Sequence, residues 1–98
     1  MKFTIKNPGE SPINLARKIG FYFQAENPEK GELIFVRPLG RNGYPRFHLY
    51  IKESNDELIL NLHLDQKKPS YKGAPAHAGE YEGKVVEAET ERIKQILT

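Results

Sequence analysis

A two-layer α+β domain, with two helices on one face of an antiparallel sheet of three to four strands in the order β-α-β-β-β-α, is predicted by three features of the sequence. Residues 46–53 and 57–65 alternate apolar and polar side chains at period two, across a two-residue Asn55-Asp56 turn. One stretch near each end of the chain instead carries apolar residues at helical spacing. The 98 residues suffice for one core and not for two, so residues 1–98 read as a single domain without linker or repeat.

The elements follow in order. Met1–Lys6 sets Phe3 and Ile5 against Lys2, Thr4 and Lys6, a short strand that Asn7-Pro8-Gly9-Glu10 turns. Ser11 suits a helix N-cap, and Pro12 suits the first helical position, where its missing N–H costs nothing. Leu15, Ala16, Ile19 and Phe23 then recur at helical spacing, which predicts one helix through "SPINLARKIGFYFQ". It closes before Pro28, because proline disfavours helical backbone at Asn27.

Strands are expected at about 33–39, 46–53 and 57–65. In the last two, both apolar sets share a face only if paired residue numbers sum to an odd value. The Asn55-Asp56 turn sets that sum at 111, because Asn and Asp tolerate the positive φ it requires. Leu49 then opposes Leu62 and Ile51 opposes Leu60, while the outer face pairs Arg46 with Asp65, His48 with His63 and Tyr50 with Asn61. The strand before them is expected to turn Ile34 and Val36 inward, which adds Phe35 and Arg37 to the outer face; the "GRNGYP" loop does not fix that register. From about Glu82 a helix is predicted, with Val86, Ile93, Ile96 and Leu97 as its stripe. Arg92 and Lys94 lie in its later turns, where the macrodipole favours cations.

The composition narrows the chemistry. Cysteine is absent, which excludes disulfides, thiolate metal sites and a Cys nucleophile. The first residues lack a signal-peptide apolar core and no apolar run reaches membrane-spanning length, so a cytoplasmic protein without membrane association is expected. The net charge of +2 does not by itself argue for nucleic acid. Its distribution is uneven: residues 37–52 hold Arg37, Arg41, Arg46 and Lys52 with no acid, whereas 80–91 hold five Glu against one Lys.

The outer face carries Arg37, Arg46, His48, Tyr50, Asn61, His63 and Asp65, a mixture unlike the Lys, Glu, Thr and Ser of a merely solvated sheet. Rings interleaved with guanidinium groups suit single-stranded nucleic acid, each stacked base contributing about 1–3 kcal/mol. The 66–79 loop is long for a compact domain and adds Lys67, Lys68 and Tyr71 beside that face. The expected function is therefore a small binding protein, without cofactor, that recognises an anionic partner, nucleic acid first. Plain cross-strand pairing, stabilising by a few tenths of a kcal/mol, explains the same residues without function.

Two other readings stay open. His63 and Asp65 project the same way from one strand, and His77 and Glu80 share a face if the last helix begins early. These four could hold Zn, Mn or Fe, or move protons as a His/Asp acid–base enzyme. Alternatively, the face is buried in a homodimer. The "RPLGRNGYPRFH" turn makes a basic tip but lacks the Gly-Lys-Ser/Thr ending and following helix of a phosphate loop.

The stretches "LHLDQKKPSYKGAPAHAGEY", "RPLGRNGYPRFHLYIK" and "SPINLARKIGFYF" resemble a set of short bacterial proteins from uncultured, small-genome lineages. That resemblance spans nearly the whole chain and implies no activity, ligand or site residue. The element order also has a topological likeness to the double-stranded RNA-binding domain. There a Lys-rich helix start contacts phosphates; here Lys67-Lys68 precede a long loop, so that role is not carried over.

Overall fold

The computed structural model describes residues 1–66, 79–80 and 83–98. Its elements are β1 (Lys2–Lys6), α1 (Pro12–Lys18), β2 (Tyr22–Asn27), β3 (Glu32–Pro38), β4 (Arg46–Ser54), β5 (Glu57–Asp65), β6 (Gly79–Glu80) and α2 (Lys84–Leu97). The antiparallel strands lie in the order β1-β5-β4-β3-β2, and the two-residue β6 pairs with β5 beyond the end of β1. The α+β class is as expected. The sheet has five main strands where three to four were expected, and β2 is the one the sequence concealed.

The concealed strand begins where α1 stops. Ser11 caps α1 as anticipated, its Oγ accepting from the Asn14 N–H at 3.2 Å. Gly20, at φ 84°, takes the left-handed conformation that ends a helix. Gly20 N–H donates to the Arg17 carbonyl at 3.1 Å and Phe21 N–H to the Ala16 carbonyl at 2.9 Å, the paired bonds that close a helix over such a glycine. Leu15, Ala16 and Ile19 keep their buried stripe, and Phe21 drops into the core beside them. Phe23 leaves the expected stripe. It sits half-exposed on β2, meeting Phe35 edge-on at 5.9 Å.

β4 and β5 pair in the expected register, with Asn55 at φ 55° in the two-residue turn between them. β1 adds Ile5 opposite Leu58 and Phe3 opposite Leu60, on the same face. β3 pairs in the opposite parity to the one expected, with Phe35 opposite Leu49 and Leu33 opposite Ile51. Leu33 to Val36 is an unbroken apolar run, so no alternation marks a face. Packing chose the larger ring: Phe35 is fully buried, while Ile34 and Val36 are half-buried on the other side.

Both helices cover the leucine face, their Leu15, Ile19, Val86 and Ile93 joining one core with Leu58, Leu60, Leu62 and Leu64. The α2 stripe differs from the expected one. Ile96 is exposed and Glu89 and Thr90 are buried in line with Val86 and Ile93. The Glu89 carboxylate receives Arg92 Nε and Nη2 at 2.7 and 2.8 Å and Arg37 Nη1 at 3.4 Å. Arg92 also donates to the Ile19 carbonyl. One buried carboxylate thus ties α2 to β3 and to the end of α1.

Candidate functional site

The face of the sheet opposite the helices is built by the β4/β5 register. Arg46 opposes Asp65, His48 opposes His63, and Tyr50 opposes Asn61. Neighbouring strands lie about 4.8 Å apart, close enough for opposed side chains to meet. This face is not evenly open: His63 is only 5% exposed, and Tyr50 stacks on it at 5.5 Å with 26° between the rings.

At the centre three groups converge. His48 Nδ1 lies 3.1 Å from His63 Nε2 and 2.9 Å from Asp65 Oδ2, and His63 Nε2 lies 3.2 Å from Asp65 Oδ1. One donor atom from each lies within 4.8 Å of the other two, a grouping suited to a metal ion. Arg46 Nε approaches Asp65 Oδ2 at 3.6 Å, and its guanidinium carbon lies 4.5 Å over the Tyr44 ring.

Gln24 completes the cluster from β2. It sits where β2 shifts register between Phe23 and Ala25, an irregularity of the kind that re-aims a side chain. Its Oε1 lies 3.2 Å from His48 Nε2. An amide oxygen only accepts, so this contact is a hydrogen bond in the tautomer whose His48 Nε2 carries the proton. Neutral His48 then turns the Nδ1 lone pair toward the Asp65 carboxylate.

With neutral imidazoles and an ionised carboxylate, no placement of protons makes hydrogen bonds of all three contacts. If both imidazoles donate to Asp65, the two N–H groups oppose each other across 3.1 Å. If either nitrogen accepts instead, its lone pair faces a carboxylate oxygen at 2.9 or 3.2 Å. Burial also holds both His48 and His63 below the ordinary imidazole range, against the opposing pull of Asp65. A cation at the centre satisfies every lone pair at once.

The distances fit such an ion. Ligands about 2.0–2.2 Å from a metal are separated by about 2.8–3.1 Å along an octahedral edge and about 3.3–3.6 Å along a tetrahedral one. The separations of 2.9, 3.1 and 3.2 Å lie near these ranges, the 2.9 and 3.2 Å contacts being made to different oxygens of Asp65. Gln24 meets the usual requirement that a ligating histidine donate its other N–H to a fixed acceptor.

The other expected site residues divide. Asn61 stays on this face and lines a polar depression of about 230 Å³ with Tyr50, Glu32 and Lys30. Arg37 does not belong to the face; it lies on the helix side with Glu89, a consequence of the β3 register. Lys67, Lys68, Tyr71 and His77 lie outside the described residues. The backbone of Glu80 pairs opposite Leu64. Sequence reasoning set His48 opposite His63 but left it out of the ligand set, and it missed Gln24 because that stretch reads as helix. No family model, curated protein or solved structure was found to match this chain.

Proposed function

We propose that this protein binds one divalent transition-metal ion through His48 Nδ1, His63 Nε2 and the Asp65 carboxylate. The observation that carries it is the convergence of His48, His63 and Asp65, whose three contacts cannot all be hydrogen bonds between neutral imidazoles and an ionised carboxylate. Two imidazoles and one carboxylate favour Fe(II), Co(II), Mn(II) or Zn(II) over the all-oxygen ions Mg(II) and Ca(II). Gln24 holds the His48 tautomer, so it is a positioning residue and not a ligand.

This reading keeps the pair of groups that the metal alternative shares with the sequence, His63 and Asp65, and replaces its other members with His48. A direct nucleic-acid surface has less support from this geometry. Arg37 lies on the opposite face, Arg46 faces Asp65, and the His48 and His63 side chains are only 14% and 6% exposed.

Chelator-stripped protein should take up one Co(II) per chain, read by elemental analysis and by the visible ligand-field bands of Co(II). His48→Ala and His63→Ala should weaken uptake by at least about 100-fold, and Gln24→Ala by about 10-fold, as for loss of an outer partner. Uptake that is absent, or unchanged in both histidine variants while their circular dichroism stays native, refutes the reading.

A further inference from the structure

The same triangle says what the ion can do. Its donors project from β4 and β5, two neighbouring strands, and three protein groups leave a four- to six-coordinate ion with open positions. His63 lies at the covered side of the cluster, whereas the Arg46 and Asp65 side chains are each 22% exposed. Solvent therefore reaches the cluster from the Arg46–Asp65 side.

Charge selects the ligand for those positions. Among the ligands only Asp65 bears a formal charge, and Arg46 faces it at 3.6 Å, so the formal charges of the metal-free cluster offset. A divalent ion raises it to about +2 in a half-buried setting, where charge is screened less than in water. Lys2, in register with Asn61, and Lys52, two positions beyond Tyr50, add cations to the same face, with Glu32 opposite Lys52 as the acid there. Arg46 Nε makes no hydrogen bond, and its contact with Asp65 at 3.6 Å is longer than one. The guanidinium thus lies beside the cluster, near Asp65 and over the Tyr44 ring, with its Nε lacking a hydrogen-bond partner.

We infer that the bound metal and Arg46 together form a receptor for a phosphate group, one oxygen completing the metal's coordination while the guanidinium pairs with another. This rests on the metal reading above. It restores an anionic ligand to this surface through the ion, in place of the arginine that the β3 register removed. A dianionic phosphate monoester matches the +2 cluster best; a phosphodiester, with one charge, binds more weakly.

The test uses full-length protein loaded with Co(II), with inorganic phosphate, a 5′-mononucleotide and a single-stranded oligonucleotide lacking terminal phosphates as probes. Phosphate should shift the Co(II) bands, and the paramagnetic ion should broaden the ³¹P resonance of each probe that binds. Arg46→Gln should weaken phosphate binding by about tenfold, as expected for one charge-assisted contact, while Co(II) uptake persists. Broadening by the monoesters alone assigns the site to terminal phosphates, and broadening by the oligonucleotide extends it to nucleic-acid backbones. Co(II) bands that form normally but ignore every probe overturn this inference and leave the metal reading standing. Phosphate binding equal in loaded and stripped protein also overturns it. Failure to take up Co(II) removes both.

Discussion

Metal binding to the folded state alone must raise thermal stability, and the size of the effect follows from the site. The perturbation is addition of Co(II) or Zn(II) to chelator-stripped protein, compared with His48→Ala. The unfolded chain scatters His48, His63 and Asp65, so it lacks the converged donors that the fold supplies. At free metal about 1,000 times the dissociation constant, linkage contributes about 4 kcal/mol. Each kcal/mol moves the midpoint of a domain of this size by about 4–8 °C, so the melting temperature should rise by about 16–32 °C. Removing His48 deletes one of three donors. If affinity falls about 100-fold, the same metal concentration contributes only about 1.4 kcal/mol, a rise of about 6–11 °C. Differential scanning calorimetry of both proteins, each with and without metal, measures the four midpoints. Equal metal-dependent shifts in wild type and His48→Ala, or no shift in either, refute the convergence argument, since adventitious ions would not distinguish the two.

Further outcomes are expected from the rest of the fold. Phe35→Ala should cost about 3–5 kcal/mol in urea denaturation, whereas Val36→Ala, half-buried on the other face, should cost about 1 kcal/mol. A larger cost at Val36 would reverse the β3 register. Glu89→Gln should cost about 2–3 kcal/mol, below the loss for a fully buried pair because the Arg37 and Arg92 side chains are each about one-third exposed, and a change under 0.5 kcal/mol would contradict the tie between α2 and β3. Metal-free protein should lose stability as pH falls below about 6.5, where the unfolded histidines take up protons before the folded ones do. The loss grows until pH passes the lowered folded values of His48 and His63. A urea midpoint that stays flat or rises on acidification, or the same slope in His63→Gln, would show that burial does not hold these rings neutral.

The β4/β5 pairing was legible before any coordinates because its determinants are local. Strict alternation marks the inner face, and a two-residue turn leaves one register that keeps both apolar sets together. Hence the opposition of His48 to His63 and of Arg46 to Asp65 is present in the sequence itself. The Ser11 cap and the start of α1 are local in the same way.

Elsewhere the deciding contacts are distant. Leu15, Ile19 and Phe23 recur at helical spacing, and only the left-handed turn at Gly20 followed by pairing of Phe23 with Phe35 makes the last of them a strand residue. β3 carries four apolar residues in succession, so its face was chosen by how Phe35 fills the core under the helices, and Arg37 followed it to the buried Glu89.

The sequence by itself therefore determined which side chains oppose one another across β4 and β5, because period-two alternation and turn length act over neighbouring residues. The tertiary structure alone decided that His48, His63 and Asp65 close to within hydrogen-bonding distance under half-burial, with Gln24 brought in from a strand two places away. That closure depends on sheet order, twist and the shielding of the face, which arise from packing across the whole chain.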